Sequence, residues 1–91
     1  MSLSKEEAIE KARRDFANRM GVKESEIATE SVEETDFPDL ALGAGAKGEM
    51  SGQMITPGWR IRLKGAGKSL EYRANKNQVR LFNHKGANHR I

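Results

Sequence analysis

The feature that most constrains this chain is a strict alternation of apolar and basic residues near its middle. In residues 59–64 each odd position is apolar and each even position is Arg or Lys, which is the period of a β-strand with one buried face. A second alternating run occupies residues 69–75, and Val79 and Leu81 repeat the apolar spacing. The stretch 56–82 therefore predicts a three-stranded antiparallel meander with one apolar face and one basic face.

Short turn sequences separate the predicted strands. Gly65 and Gly67 reverse the chain after the first strand, and Asn75 and Asn77, which tolerate positive φ, do so after the second. Residues 83–91 show no hydrophobic period. We expect them to form a disordered tail.

Residues 4–20 predict an amphipathic helix. Ser4 followed by Glu7 matches the capping box, and Gly21 stands where a left-handed C-terminal cap is expected. Apolar residues recur at spacings of three and four, which gives the helix one face that can pack on the sheet. These residues are Ile9, Ala12, Phe16 and Met20.

Residues 27–37 predict a further strand, which Pro38 ends because proline cannot donate to a ladder. Acidic residues occupy both odd and even positions here, so alternation does not assign the faces of this strand. A β-bulge is one explanation. A short edge strand over residues 53–55 would add to the same sheet.

The connection between these strands is long and glycine-rich. Residues 38–52 hold four glycines and few large apolar residues, and so long a loop in a small domain is usually either functional or mobile. If it binds a partner, the candidate binding residues are Leu42, Gly43, Gly45, Lys47, Met50 and Met54.

Size and composition limit the class of protein. A chain of 91 residues makes a single domain, with an ordered core expected over about residues 4–82. The absence of cysteine excludes disulfides and thiolate chemistry. The first residues given hold no apolar leader region and no run is long enough to span a membrane, so for the chain as given we expect a soluble, monomeric protein with no membrane partner, and a cytoplasmic location is favoured.

Charge is divided unevenly along the chain. Residues 1–45 hold six Lys and Arg against eleven Asp and Glu, whereas residues 46–91 hold ten against two. The basic half either binds a polyanion or neutralises the acidic half. The predicted basic sheet face that would contact phosphates consists of Arg60, Arg62, Lys64, Arg73 and Arg80. Because Trp59 and Tyr72 fall on the opposite face, this surface lacks most of a base-stacking platform.

The motifs that would indicate catalysis or a metal site are incomplete. The triplet at 67–69 ends like a phosphate-binding loop, but Arg62 replaces the required glycine and a strand replaces the required helix. His84 and His89 lack an evident third ligand. The acids of residues 30–36 do not follow a calcium-loop spacing. We therefore expect no enzyme activity, no cofactor and no metal.

Several short motifs resemble those of a widespread group of small bacterial domains of uncharacterised function, over roughly residues 8–82. They are Gly21-Val22, Glu26-Ile27, Ser31-Val32-Glu33-Glu34, Phe37-Pro38-Asp39, Leu42-Gly43, Thr56-Pro57-Gly58-Trp59-Arg60-Ile61 and Glu71-Tyr72-Arg73. The resemblance implies a helix on an antiparallel sheet, similar in outline to PepSY and cystatin-like domains, and implies no activity. Many such domains carry cysteines at positions that correspond here to Ala44 and the neighbourhood of Phe82.

The sequence thus predicts an α+β fold with one N-terminal helix on a three- to four-stranded antiparallel meander. The functional hypothesis is a non-catalytic protein-binding or regulatory domain, with an inhibitor-like mode among the alternatives, that uses the loop at 38–55. Some domains of this outline are similar to protease inhibitors, which is an analogy of fold alone. The alternative hypothesis is nucleic-acid or other polyanion binding through the basic face.

Overall fold

The computed structural model describes residues 2–50 and 52–91, and it shows one α-helix against a five-stranded antiparallel sheet. The elements are helix α1 (Lys5–Met20), a 3₁₀ turn (Glu24–Glu26), and strands β1 (Ala28–Phe37), β2 (Thr56–Gly65), β3 (Lys68–Asn75), β4 (Gln78–His84) and β5 (Ala87–Arg90). The strands lie in chain order, so β1 and β5 form the two edges. No helix within the described ranges is long and apolar enough to cross a membrane.

The α+β prediction is confirmed, but the expectation of three or four strands is wrong. The fifth strand, β5, lies in the segment that we expected to be a disordered tail. A tight turn at Lys85 and Gly86, both with positive φ, returns the chain beside β4. The backbone N–H of Ile91 then donates to the carbonyl oxygen of Val79. An edge strand of polar residues has no apolar alternation, which is why the sequence pattern did not reveal it.

Two smaller expectations also differ from the structure. Residues 53–55 form no strand, and β2 begins at Thr56. The turn after β3 forms where expected, yet neither of its asparagines has positive φ. Instead the side-chain oxygen of Asn75 accepts hydrogen bonds from the backbone N–H groups of Asn77 and Gln78, at 2.8 and 3.1 Å. This is an Asx-type turn, in which a side chain replaces a backbone acceptor.

Both ends of α1 are capped as the sequence predicts. The Ser4 hydroxyl accepts from the backbone N–H of Glu7, while the Glu7 carboxylate accepts from that of Ser4. Gly21 ends the helix with φ of 66°, in the left-handed region. The boundaries are therefore fixed by local hydrogen bonds that three residues supply.

A bulge resolves the ambiguous pattern of β1. The register with β2 shifts between Thr29 and Ser31, which leaves Glu30 without a cross-strand partner. Beyond this point the even-numbered residues lie on the side of the sheet that faces α1, because Val32 pairs with Ile61. We call this side the helix face and the opposite side the outer face.

The main hydrophobic core lies between α1 and the helix face. Small alanines let the helix approach the sheet closely, and Phe16 fills the space between them. The buried members of this core are Ala8, Ala12, Phe16, Ile27, Ile61, Leu63, Tyr72, Ala74, Val79 and Leu81.

A polar contact ties the helix to β3 at the margin of this core. The Tyr72 hydroxyl donates to Asp15 Oδ2 over 2.8 Å, and the same oxygen lies 2.7 Å from Arg19 Nε. Burial, together with the neighbouring Asp15 carboxylate, raises the pKa of Tyr72 far above its usual range. The hydroxyl therefore remains a donor at any physiological pH.

Truncation of Phe16 tests the docking of the helix. Phe16 is fully buried, so Phe16→Ala should lower the free energy of unfolding by about 3–5 kcal/mol because it leaves a cavity. Urea denaturation measures this change. The control is Asn18→Ala on the exposed side of the helix, which should stay within about 0.5 kcal/mol of the parent. Equal stabilities of the two variants would contradict this docking.

Candidate functional site

The outer face of the sheet carries a row of arginines in register. Arg60 pairs with Arg73, Arg73 with Arg80, and Arg80 with Arg90, across strands β2 to β5. Like charges directly opposite each other on neighbouring strands repel. The row therefore requires negative or dipolar groups close to it.

Glu71 supplies one such group. Its Oε2 lies 2.9 Å from Arg73 Nε and 3.4 Å from Arg60 Nε, and its Oε1 lies 3.2 Å from an Arg62 terminal nitrogen. The Arg60 contact with Glu71 is an ion pair without hydrogen-bond geometry. The buried Arg60 Nε accordingly has no hydrogen-bond partner among residues 2–50 and 52–91. The single Glu71 carboxylate thus forms ion pairs with three arginines.

The β1–β2 loop, residues 38–55, supplies the remaining groups by folding over the outer face. Arg73 Nη1 donates to the carbonyl oxygens of Leu42 and Gly43, at 3.1 and 3.3 Å. Its guanidinium carbon lies 3.6 Å from the centre of the Phe82 ring and 5.4 Å from that of Phe37. Arg73 therefore holds the loop through hydrogen bonds, while its cation–π contacts with Phe37 of β1 and Phe82 of β4 fix its guanidinium on the sheet.

Arg80 makes the strongest of these attachments. Its two terminal nitrogens contact the two Glu49 carboxylate oxygens at 2.5 and 2.7 Å, which is a bidentate ion pair. The Arg80 side chain is 4% exposed and that of Glu49 is 26% exposed. Hydrogen bonding to Arg80, followed by that from the Ala46 backbone, lowers the pKa of Glu49 to about 2.

Internal hydrogen bonds close the loop on itself. The Leu40 N–H donates to the Gly52 carbonyl oxygen over 2.9 Å, so the loop narrows to a neck. Asp39 Oδ1 accepts from the backbone N–H groups of Ala41 and Gly43. The segment has the form of an Ω-loop, a compact loop with adjacent ends.

A second set of buried apolar residues lies between this loop and the sheet, and most of its members belong to the loop itself. Phe37, Ala41, Leu42 and Ala44 are at most 1% exposed, yet they do not belong to the core beneath the helix. The sheet is therefore covered on both faces, by α1 on one side and by the loop on the other.

The structure separates the candidate loop residues into two groups. Leu42 is buried, the Gly43 carbonyl binds Arg73, and the Gly45 carbonyl accepts from the Asn88 side chain. Lys47 is exposed, as are the side chains of four apolar residues. We call these four the apolar rim, and they are Leu40, Met50, Met54 and Ile55.

A cleft of about 790 Å³ opens at the end of the sheet beside the apolar rim. It lies where β1 ends, β2 begins and β3 turns into β4. Leu40, Met54, Ile55 and Trp59 provide apolar walls, while the carboxylates of β1 provide an acidic wall. We call it the end cleft. The alternating pattern predicted Trp59 on the core face of its strand, and the structure leaves it partly buried against the core, where it also lines this cleft.

The acidic wall of the end cleft consists of Glu34 and Asp36. Both lie on the helix-face side of β1, and Glu34 is directly paired with Trp59. Within residues 2–50 and 52–91 neither carboxylate has a hydrogen-bond or ion-pair partner. Glu34 and Asp36 are two residues apart, a spacing that puts both side chains on the same face of a strand. The bulge at Glu30 shifts the alternation along β1, so the sequence pattern did not reveal which face this was.

The two histidines meet on the last hairpin. Their rings lie 6.0 Å apart in an edge-to-face arrangement. Burial, and then the nearby Arg19, Lys85 and His89, lower the pKa of His84. No group of three or more metal-ligating side chains occurs in the part of the chain that the structure describes.

The fold and the site together define a small α+β domain in which a helix and an anchored Ω-loop cover opposite faces of an antiparallel meander. The chain belongs to the family described as Domain of unknown function (DUF8738), whose model matches residues 9–82. No curated protein and no solved structure matched the chain. The family match includes the whole of the β1–β2 loop and the end cleft.

The ion pair between Arg80 and Glu49 makes stability depend on pH. Glu49→Gln should lower the free energy of unfolding near neutral pH by about 1–3 kcal/mol, because it removes a charged acceptor from a buried guanidinium. The carboxylate titrates at about 2 in the folded state against 4.5 without its partners. Its contribution is therefore complete above pH 4.5 and is lost as the pH falls to about 2.

Urea denaturation of parent and variant at a series of pH values measures this dependence. The difference between them should narrow below pH 4.5. Glu10→Gln, an exposed carboxylate on α1, is the charge-matched control and should show no such change. A difference that stays constant down to pH of about 2 would show that the ion pair does not hold the loop.

Gly58 controls the packing at the floor of the end cleft. A Cβ atom at this position would overlap the carbonyl oxygen of Ala74 and press on the Phe37 ring, whereas a Cβ at Gly45 would meet nothing. Gly58→Ala should therefore lower the free energy of unfolding by about 1–3 kcal/mol. Gly45→Ala is the matched control, and thermal denaturation of both variants distinguishes the two positions.

Proposed function

We propose that this protein is a non-catalytic binding domain that holds a segment of another protein at the end cleft and the apolar rim. The supporting observation is the exposure of four large apolar side chains, of which Leu40, Met54 and Ile55 line the end cleft and Met50 lines an adjoining cavity that shares Leu40. Leu40 is 44% exposed, Met50 96%, Met54 64% and Ile55 71%. Grouped exposure of this kind is typical of an interaction surface.

The attachment of the loop favours this role. Ordering a glycine-rich loop on binding costs conformational entropy. Here the loop is already held by Arg73, Arg80 and its own closed neck. A partner therefore meets a preorganised rim, which reduces the entropic cost of association.

The position of the site within the loop differs from the hypothesis based on sequence. That hypothesis assigned binding to the whole loop at 38–55, with glycine-rich positions as well as Met50 and Met54 among its candidates. Because Leu42, Gly43 and Gly45 are engaged with the sheet, the proposal narrows the binding site to Met50, Met54 and the exposed apolar residues beside them.

Polyanion binding through the basic face is less favoured by this geometry. Arg73 and Arg80 are covered by the loop, and Arg60 and Arg62 lie at the Glu71 carboxylate. Of the five candidate residues, Lys64 is the one with no ion-pair partner in the described ranges. A phosphate backbone would have to displace existing partners before it reached the central arginines.

Polar substitution at the apolar rim tests the proposal. Met54→Ser/Ile55→Ser should abolish capture of a partner from an extract of the source cells, because it removes two apolar contacts. Mass spectrometry measures the proteins retained by each immobilised domain. Both side chains are exposed, so the thermal midpoint should be unchanged. Lys47→Ser, an exposed residue of the same loop that does not line the cleft, is the control.

Two results would contradict the proposal. One is an identical set of retained proteins for parent, control and double variant. The other is tight retention on immobilised heparin that falls steeply with salt, while no protein partner is retained, since that behaviour is typical of polyanion binding.

A further inference from the structure

We infer that the segment held at the end cleft is an extended strand bearing Lys or Arg, which adds to the sheet beside β1. This inference rests on the proposed function and specifies the conformation and charge of the partner. It uses the edge of the sheet as well as the cleft.

The edge at β1 is long and open. β1 has ten residues and stands first in the sheet order, with β2 on one side. An edge strand presents unpaired backbone N–H and C=O groups, and an added strand can pair with them. The opposite edge, β5, has four residues, and offers a much shorter template.

The edge and the cleft are continuous. Glu34, Thr35 and Asp36 belong to β1 and also line the end cleft. A strand that pairs with this half of β1 would lie about 4.8 Å from it, and alternate side chains would project to the helix-face side. Those side chains would enter the cleft beside Trp59.

The charge of β1 selects a basic partner. Its acids are Glu30, Glu33, Glu34 and Asp36, and it has no basic residue. The Glu30 carboxylate accepts from the Ser69 hydroxyl, but the other three have no hydrogen-bond or ion-pair partner in residues 2–50 and 52–91.

The apolar wall narrows the choice to Lys and Arg side chains. Both combine a long aliphatic stem with a terminal cation. The stem would lie against Ile55 and Trp59, and the cation would reach Glu34 and Asp36. An indole face beside two carboxylates is a favourable setting for a cation.

The competing explanation is that the acids only protect an exposed edge. Charged residues on edge strands commonly prevent pairing between molecules. A second copy of this chain is the other basic candidate, because Arg90 and His89 lie on β5. Peptide titration and sedimentation distinguish both cases from the addition of a basic strand.

The probe is an acetylated and amidated peptide of about eight residues in which Lys and Thr alternate, an extended basic sequence. Titration into the ¹⁵N-labelled full chain should shift and protect the amides of β1, and the matching Glu-Thr peptide should not. Glu34→Gln/Asp36→Asn should weaken binding by about tenfold or more. The charge-matched control, Glu6→Gln/Glu10→Gln on α1, should bind like the parent.

Backbone pairing is tested with two N-methylated forms of the Lys-Thr peptide, one methylated at odd and one at even residues. Strand addition requires the N–H groups of one edge of the peptide, so one form should lose binding and the other should keep it. Equal binding of both forms, or no binding of the parent peptide, would overturn the inference.

Two further measurements separate the failure of this inference from that of the proposed function. If the natural partner is lost with Met54→Ser/Ile55→Ser but retained by Glu34→Gln/Asp36→Asn, the proposed function stands and the basic strand is wrong. If the chain alone dimerises in sedimentation and the neutralised variant does not, the occupant of the edge is a second copy, and the inference is likewise overturned.

Discussion

The bidentate ion pair between Arg80 and Glu49 is the interaction on which the rest of this site depends. Arg80 is almost fully buried under the β1–β2 loop, and a buried guanidinium without an acceptor is strongly unfavourable. The Arg80 guanidinium donates hydrogen bonds to the Glu49 carboxylate, the Ala44 carbonyl oxygen and the Gln78 side-chain oxygen. The loop thus relieves a repulsive row of arginines, and the arginines in turn hold the loop in place.

The docking of the loop on the arginines determines which surfaces of the domain a partner protein can contact. The helix packs on one face of the sheet, and the loop covers Arg73 and Arg80 on the other, where Arg62 and Lys64 stay exposed. The exposed apolar surface lies at the perimeter, where the apolar rim, the end cleft and the long edge of β1 adjoin one another. The proposed binding function and the proposed basic strand both follow from this limited choice of surface.

The glycines of the anchored loop have a structural role that differs from the mobility their number suggests. A run such as Gly43, Gly45 and Gly48 suggests mobility in the sequence, but Gly43 and Gly48 have positive φ and serve tight turns. The carbonyl oxygens of Gly43 and of its neighbours Leu42 and Ala44 accept hydrogen bonds from Arg73 and Arg80. Glycine here permits close approach of the backbone to the sheet, and the flexibility expected of it is restrained by hydrogen bonds.

The sequence by itself determined the elements whose information is local. Ser4, Glu7 and Gly21 fixed the ends of α1, and strict alternation fixed β2 and β3, because caps and strand faces depend on residues a few positions apart. Tertiary structure alone decided the docking of the loop, since Arg80 and Glu49 are 31 residues apart, and the pairing of the polar strand β5. It also placed Glu34, Asp36 and Trp59 around one cleft. Contacts between distant residues leave no periodic signal in the chain, because they are selected by the packing of the complete sheet.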